Sequence, residues 1–167
     1  MKKLVHVFIG MLLAMFLVQS GDVLANDNGI VEVPDLATLR AEGQTDGTVY
    51  RVTGEVVLTH QNGNRNQKYF QDDTGAILVD DNGGIITTEY DKYDGITGLT
   101  GTLSFYAQLL QMVPVEDPGE ATSSDNVVEP LVLDLADITP EHQAMLIMVQ
   151  GVTFVSPPHA NFQPSTS

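Results

Sequence analysis

The sequence predicts an all-β fold: a five-stranded Greek-key barrel with a short preceding helix and the start of a second, incomplete copy. Three observations predict it. Short runs of alternating or apolar residues are separated by glycine- and asparagine-rich turns, in the order three strands, a longer connection, then two. The first run is long and carries Gly54 in its interior, which in a strand marks a bulge or a sharp bend. Finally, two short patterns recur about a hundred residues downstream.

The chain opens with Lys2 and Lys3, an apolar run of 15 residues from Leu4 to Val18, and Val23-Leu-Ala25 with a small residue at the cut position. That order reads as a secretory signal peptide over residues 1–25. The run is short of the roughly 20 residues a membrane helix needs, so no stable span is expected. No cysteine follows it, which leaves no site for lipidation there. Residues 26–33 read as a flexible leader.

The barrel is expected over residues 34–119. Asp35 precedes Leu36 and Leu39 and reads as the N-cap of a short amphipathic helix to about Glu42, ended by Gly43-Gln-Thr-Asp-Gly47. Thr48 to His60 is the first strand, with Val52, Gly54, Val56 and Leu58 on one face. Gln61-Asn-Gly-Asn-Arg-Asn66 is a turn, because Asn-Gly tolerates positive φ. Lys68 to Gln71 and Ala76 to Val79 are the second and third strands, joined by Asp72-Asp-Thr-Gly75. Ile85 to Asp94 reads as a loop with at most a short helix. Thr97 to Tyr106 and Leu109 to Pro114 are strands four and five, and Glu116-Asp-Pro-Gly119 closes the module. This layout is that of an OB-fold barrel, with a small sandwich as the other arrangement the pattern allows.

Residues 120–133 read as a polar linker and residues 134–167 as the truncated start of a second repeat. Asp35-Leu-Ala-Thr-Leu39 recurs as Asp134-Leu-Ala-Asp-Ile138, and Val52-Thr-Gly-Glu-Val-Val-Leu-Thr59 as Val149-Gln-Gly-Val-Thr-Phe-Val-Ser156, at offsets of 99 and 97. A second copy that stops after one strand reads as part of a longer exported polypeptide.

Composition narrows function. Removing residues 1–25 from a chain with 7 basic and 22 acidic residues leaves 142 residues with a net charge near −16. Such a surface disfavours nucleic acid, whose affinity comes largely from Lys and Arg displacing counterions. With no cysteine and no metal-ligand spacing among His6, His60, His142 and His159, neither zinc nor any other cofactor is expected. Asp72, Asp73, Asp80, Asp81 and Asn82 offer oxygens, but their spacing is not that of an EF-hand loop and turn chemistry accounts for them. No G-x-S-x-G, P-loop or dinucleotide-binding sequence occurs, so no catalytic residue is assigned and the protein is read as a non-enzyme. What remains is a binding face around strand two and the last hairpin, with Arg65, Lys68, Tyr69, Gln71, Tyr106, Gln108 and Gln111 as candidate ligand contacts.

Tyr50-Arg-Val-Thr-Gly-Glu-Val-Val57, Lys68-Tyr-Phe-Gln-Asp-Asp-Thr-Gly-Ala-Ile77 and Asp94-Gly-Ile-Thr-Gly-Leu-Thr-Gly101 together resemble OB-fold-like domains of uncharacterised function in secreted Bacteroidota proteins. Those domains often occur in tandem and commonly precede a sorting domain. The Gln-Asp-x-Thr-Gly-x-Ile element also resembles OB-type domains beside extracellular nucleases. The likeness covers residues 33–119 with a weaker return after 130, and neither a sorting nor a catalytic domain is present. It implies an exported, non-catalytic binding or spacer module, at the cell surface, in the medium or in the periplasm. Its ligand would be a glycan, a protein or a cell-surface component. The alternative it implies is an accessory nucleic-acid-binding domain of an extracellular nuclease.

Overall fold

The computed structural model describes residues 29–153. The expected signal peptide, the first residues of the leader and the end of the repeated strand at 154–156 lie outside them. The described chain is mostly β. In order it forms β1 (Val31–Val33), α1 (Leu36–Glu42), β2 (Val49–Val52), β3 (Val56–Gln61), β4 (Lys68–Gln71) and β5 (Ala76–Val79). There follow β6 (Gly95–Ile96), β7 (Leu99–Tyr106), β8 (Leu109–Pro114), β9 (Leu131–Leu133) and β10 (Ile147–Val149). Three one-turn 3₁₀ segments sit in the loops.

Eight strands make one mixed sheet in the order β1-β2-β7-β8-β5-β4-β3-β6, and β9 and β10 pair separately. Curling is forced by connectivity. Laid flat, β2 and β3 would stand five strand spacings apart, about 24 Å. The chain from Val52 to Val56 reaches at most about 14 Å. The sheet therefore bends into a half-barrel, an all-β, barrel-like shape. Val33, Leu36, Val52, Leu58, Phe70 and Met112 fill its inside, each 1% exposed or less.

The expected first strand is interrupted at residues 53–55, where Gly54 sits. A side chain there would strike the carbonyl oxygen of Pro34, and Gly54 N–H donates to that same oxygen at 3.0 Å. The glycine thus permits the end of β1 to lie against the bend. Val52, Val56 and Leu58 share the buried face as the alternation predicts, and a register shift between Leu58 and His60 inserts Thr59 as a bulge.

Three expectations need correction. The leader is not free along its length, because Val31–Val33 pairs in parallel with β2 and buries Val33. A three-residue strand pairing 19 residues away leaves no periodicity to read. Nor is residues 120–133 wholly linker: Leu131–Leu133 is β9, parallel to β10. The expected helix at Asp134 is a single 3₁₀ turn, Leu135–Asp137.

The helix α1 starts where expected. Asp35 Oδ1 accepts from Thr38 N–H at 2.7 Å, and a second acid completes the end. Asp72 Oδ2 accepts from Leu36 N–H at 2.8 Å while its Oδ1 gathers Thr74 N–H, Thr74 Oγ1 and Gly75 N–H. The Asp-Asp-Thr-Gly sequence is therefore a turn that also caps a helix 36 residues away.

Candidate binding face

Phe70, Ile77, Met112 and Leu103 point into the core, so the pleat turns their neighbours Tyr69, Leu78, Gln111 and Ser104 to the outer face. Register makes these a continuous row across five strands. His60 pairs with Tyr69, Tyr69 with Leu78, Leu78 with Gln111, and Gln111 with Ser104. The His60 and Tyr69 rings lie 5.5 Å apart. Two residues beyond Ser104, Tyr106 stands 73% exposed at the end of β7. It is held beside Leu109 by a two-residue turn in which Ala107 and Gln108 both have positive φ.

One edge of the row is charged. Arg65, itself in the left-handed region at φ 56, donates Nε to Asp80 Oδ1 at 2.7 Å and a second guanidinium nitrogen to Oδ2. The Asp80 side chain is only 4% exposed. Gln111 Nε2 donates to Ser104 Oγ at 3.1 Å and reaches Asp80 Oδ2 at 3.5 Å. The Arg65 hydrogen bond holds the Asp80 carboxyl below the ordinary carboxylate range, and the same bond raises Arg65.

Lys68 does not join this cluster. It shares the inward face of β4 with Phe70, and its Nζ donates to Asn66 O at 3.2 Å beside Asp81 Oδ2 at 3.7 Å. Asp81 is fixed by Ile85 and Ile86 N–H groups. The two cations, which are close in sequence, are thus in separate ion pairs. Gln71 and Gln108 are also placed apart from the row. Gln71 Oε1 accepts from Leu146 N–H at 2.8 Å, and the Gln108 carbonyl accepts from Gln143 Nε2 at 2.7 Å. Both hold the segment around residues 140–146, which is further tied by Gln143 Oε1 to Leu110 N–H and by Arg40 to the Pro140 carbonyl. Of the seven candidates, Arg65, Tyr69 and Tyr106 present surface on the outer face; Gln111 shares that side of the sheet but is buried on Ser104 and Asp80, Lys68 faces inward, and Gln71 and Gln108 are engaged by the C-terminal segment.

Sequence reasoning missed a polar groove of about 720 Å³ lined by Gln61, Asn66, Lys68, residues 86–91 and Asp94. Its outer wall is stapled by Asp117, whose Oδ2 accepts from both the N–H and the hydroxyl of Thr87 and of Thr88, and whose Oδ1 accepts from Gly119 N–H. Burial pushes the Asp117 carboxyl up, but these donors outweigh it and hold it well below the usual range. Tyr90, expected on a loop, is buried and donates to the Gly119 carbonyl at 2.6 Å. Burial and the nearby Asp117 charge raise its hydroxyl to about 12. A Thr-Thr pair and a distant Asp-Pro-Gly turn give no local signal of such a contact.

Among the described residues, no group of three or more His, Asp or Glu side chains could hold a metal ion, and no helix is long and apolar enough to cross a membrane. No protein-family model, no curated protein and no solved structure matches the chain.

Proposed function

We propose that the chain is an exported, non-catalytic OB-like module that binds an extracellular ligand on the outer face of its sheet. The fold part rests on pairing order. When β2 and β3 are taken as halves of one strand bent at residues 53–55, the contacts run β2/β3 to β4, β5, β8, β7 and back to β2, with β5 and β8 parallel. That pairing order supports the OB Greek-key reading. The order of residues in Met1–Ala25 supports export.

The observation that carries the binding reading is the pair of tyrosines on the outer side of the sheet, half-buried Tyr69 and exposed Tyr106, with Arg65 fixed on Asp80 beside them and buried Gln111 bracing Ser104 between. Aromatic faces beside an oriented guanidinium and hydroxyl suit stacking with hydrogen bonding. A glycan, a protein or another cell-surface component fits that chemistry. The nuclease-accessory reading needs cations open to phosphate, and both candidate cations are already ion-paired on an acidic chain. A spacer role is compatible with the binding reading, because four hydrogen bonds already fix residues 140–146 on the barrel.

The test is a titration of ¹⁵N-labelled residues 26–167 with soluble polysaccharides and, separately, oligothymidylate. Shifts confined to Tyr69, Ser104, Tyr106 and Gln111 with a polysaccharide are expected, and Tyr106→Ala should weaken binding about tenfold, as loss of an aromatic anchor does. Salt-sensitive binding of oligothymidylate alone would favour the nuclease-accessory reading. Perturbation by none of the probes would end the glycan and nucleic-acid readings of this face.

A further inference from the structure

Arg40 stands apart from the other cations of this acidic chain, and we infer that it anchors a binding site for a small organic acid in the cleft between α1 and residues 140–145. The site is separate from the outer face and does not depend on what that face binds. Among the described residues, Arg51 pairs with Glu116 at 2.7 Å, Arg65 with Asp80 and Lys68 with Asp81, while Lys92 is exposed over the Tyr93 ring. Arg40 makes no ion pair among them. One terminal nitrogen of its guanidinium donates to the Ala76 carbonyl at 3.2 Å, and the other donates to the Pro140 carbonyl at 3.3 Å. These two bonds hold the group across the cleft. Three of its five N–H donors are left for a ligand. A planar guanidinium fixed in this way is suited to grip a carboxylate through two parallel hydrogen bonds.

The cleft around Arg40 encloses about 720 Å³, a volume usual for small-molecule sites. Its walls follow from the sequence. Ala37 and Ala41, at i, i+4 on α1, flank Arg40 and are too short to fill the space. Phe105 follows Leu103 on the inward face of β7 but lies past the core and is 65% exposed, and Leu110 and Met145 extend the apolar side. Other polar groups at the cleft are already engaged. Thr74 Oγ1 donates to Asp72 and accepts from Ala37 N–H, and Gln143 bonds both Leu110 N–H and the Gln108 carbonyl. His142 also lines the cleft. Its Nδ1 accepts from Thr139 N–H at 3.0 Å, so its neutral ring carries the proton on Nε2 and offers one more donor. Arg40 and His142 thus supply donors beside the exposed Phe105 ring. The chemistry that matches them is a carboxylate carried on an aromatic body. Glu141, exposed at the rim, repels an anion and limits the affinity.

The test is an NMR titration of ¹⁵N-labelled residues 26–167 with phenylbutyrate, with its neutral counterpart phenylbutanol and with butyrate. Phenylbutyrate should bind with a dissociation constant on the order of 1 mM, as suits a ligand of about a dozen heavy atoms. Its shifts should centre on Arg40 Nε–H, Ala41, Leu110 and Gln143 and leave Tyr69 and Ser104 unmoved. The alcohol lacks the charge and butyrate lacks the ring, so each should bind about tenfold more weakly or worse. Arg40→Gln should weaken phenylbutyrate about tenfold. Phe105→Ala, at an exposed side chain, should weaken it about fivefold with the melting temperature unchanged, and Glu141→Gln should tighten it about twofold. If Arg40→Gln disturbs the fold, the alcohol and Phe105→Ala decide the matter. Equal affinity for phenylbutyrate and phenylbutanol would overturn the inference, as would binding that Phe105→Ala or a folded Arg40→Gln leaves unchanged. Absence of saturable shifts at these four residues, or shifts centred on the outer face, would overturn it too.

Discussion

Replacing Asp72 with alanine tests how the Asp72-Asp-Thr-Gly75 turn holds the start of α1. The carboxylate accepts four hydrogen bonds, three within its own turn and one from Leu36 N–H at the start of α1. The three turn donors share one oxygen near solvent and count together as about one net bond, roughly 1 kcal/mol. Losing the acceptor for a helix N-terminal N–H costs about 1 kcal/mol more, and up to about 2. Asp72→Ala should therefore lower stability by about 2–3 kcal/mol, or roughly 8–12 °C at about 4 °C per kcal/mol. Asp72→Asn keeps an acceptor for the turn but offers Leu36 N–H a second donor, and should cost about 1 kcal/mol. Asp73 is exposed, and Asp73→Ala should fall within about 0.5 kcal/mol of the parent. Urea unfolding of residues 26–167 measures all three, with an unchanged slope showing that stability alone has moved. If Asp72→Ala and Asp73→Ala unfold at the same urea concentration, the helix is not held by the turn.

Gly54→Ala should cost about 1–3 kcal/mol, because its methyl meets the Pro34 carbonyl, whereas Gly63→Ala, with nothing within 4 Å, should be close to neutral in the same assay. Arg65→Ala should destabilise the chain more than Arg65→Ala combined with Asp80→Asn, since the single change strands a buried carboxylate; equal midpoints would show the pair is not coupled. Asp117 has a lowered folded pKa, so the stability it contributes is present above its unfolded value near 4 and declines as pH falls through the lower folded one; Asp117→Asn should flatten the acid limb of stability against pH. Tyr90 has the opposite sign: its folded pKa is raised, so its contribution is complete below about 10 and is lost as pH rises towards about 12, and Tyr90→Phe should remove that alkaline loss.

Elements with local signals were legible in the sequence. The cap at Asp35, the helix to Glu42, and strands Lys68–Gln71, Ala76–Val79 and Leu109–Pro114 all lie where turn residues and alternation place them. What was not legible depends on contacts between distant residues. β1 exists only because β2 lies beside it, and Asp117 binds Thr87 and Thr88 across 29 or 30 positions. At the candidate face, alternation shows that Lys68 and Tyr69 point opposite ways but not which of them points in. A lysine next to a tyrosine suggests the lysine is the exposed one. Phe70 decides otherwise: it fills the core, so Lys68 turns inward with it and finds Asp81 at the barrel mouth.

The acidity that dominates the composition also takes on a different meaning in the folded chain. Asp72, Asp80, Asp81 and Asp117 each bind groups of the protein itself: a helix start, Arg65, two loop N–H groups beside Lys68, and the Thr87–Thr88 wall. A chain without cysteine has no disulfides to pin long connections. The connection from β5 to β6 runs through 15 residues, and Asp81 and Asp117 fasten its beginning and middle. An aspartate accepting several N–H groups does part of what a crosslink does, but only while it is ionised. The order of the Thr87–Thr88 wall is therefore tied to the Asp117 carboxylate, and acid should loosen it before it unfolds the sheet. Hydrogen exchange at Thr87 and Thr88, followed as pH is lowered, is the direct measurement: protection there should be lost while Phe70 and Met112 remain protected. Simultaneous loss at both sets would show that the wall has no separate dependence on that acid.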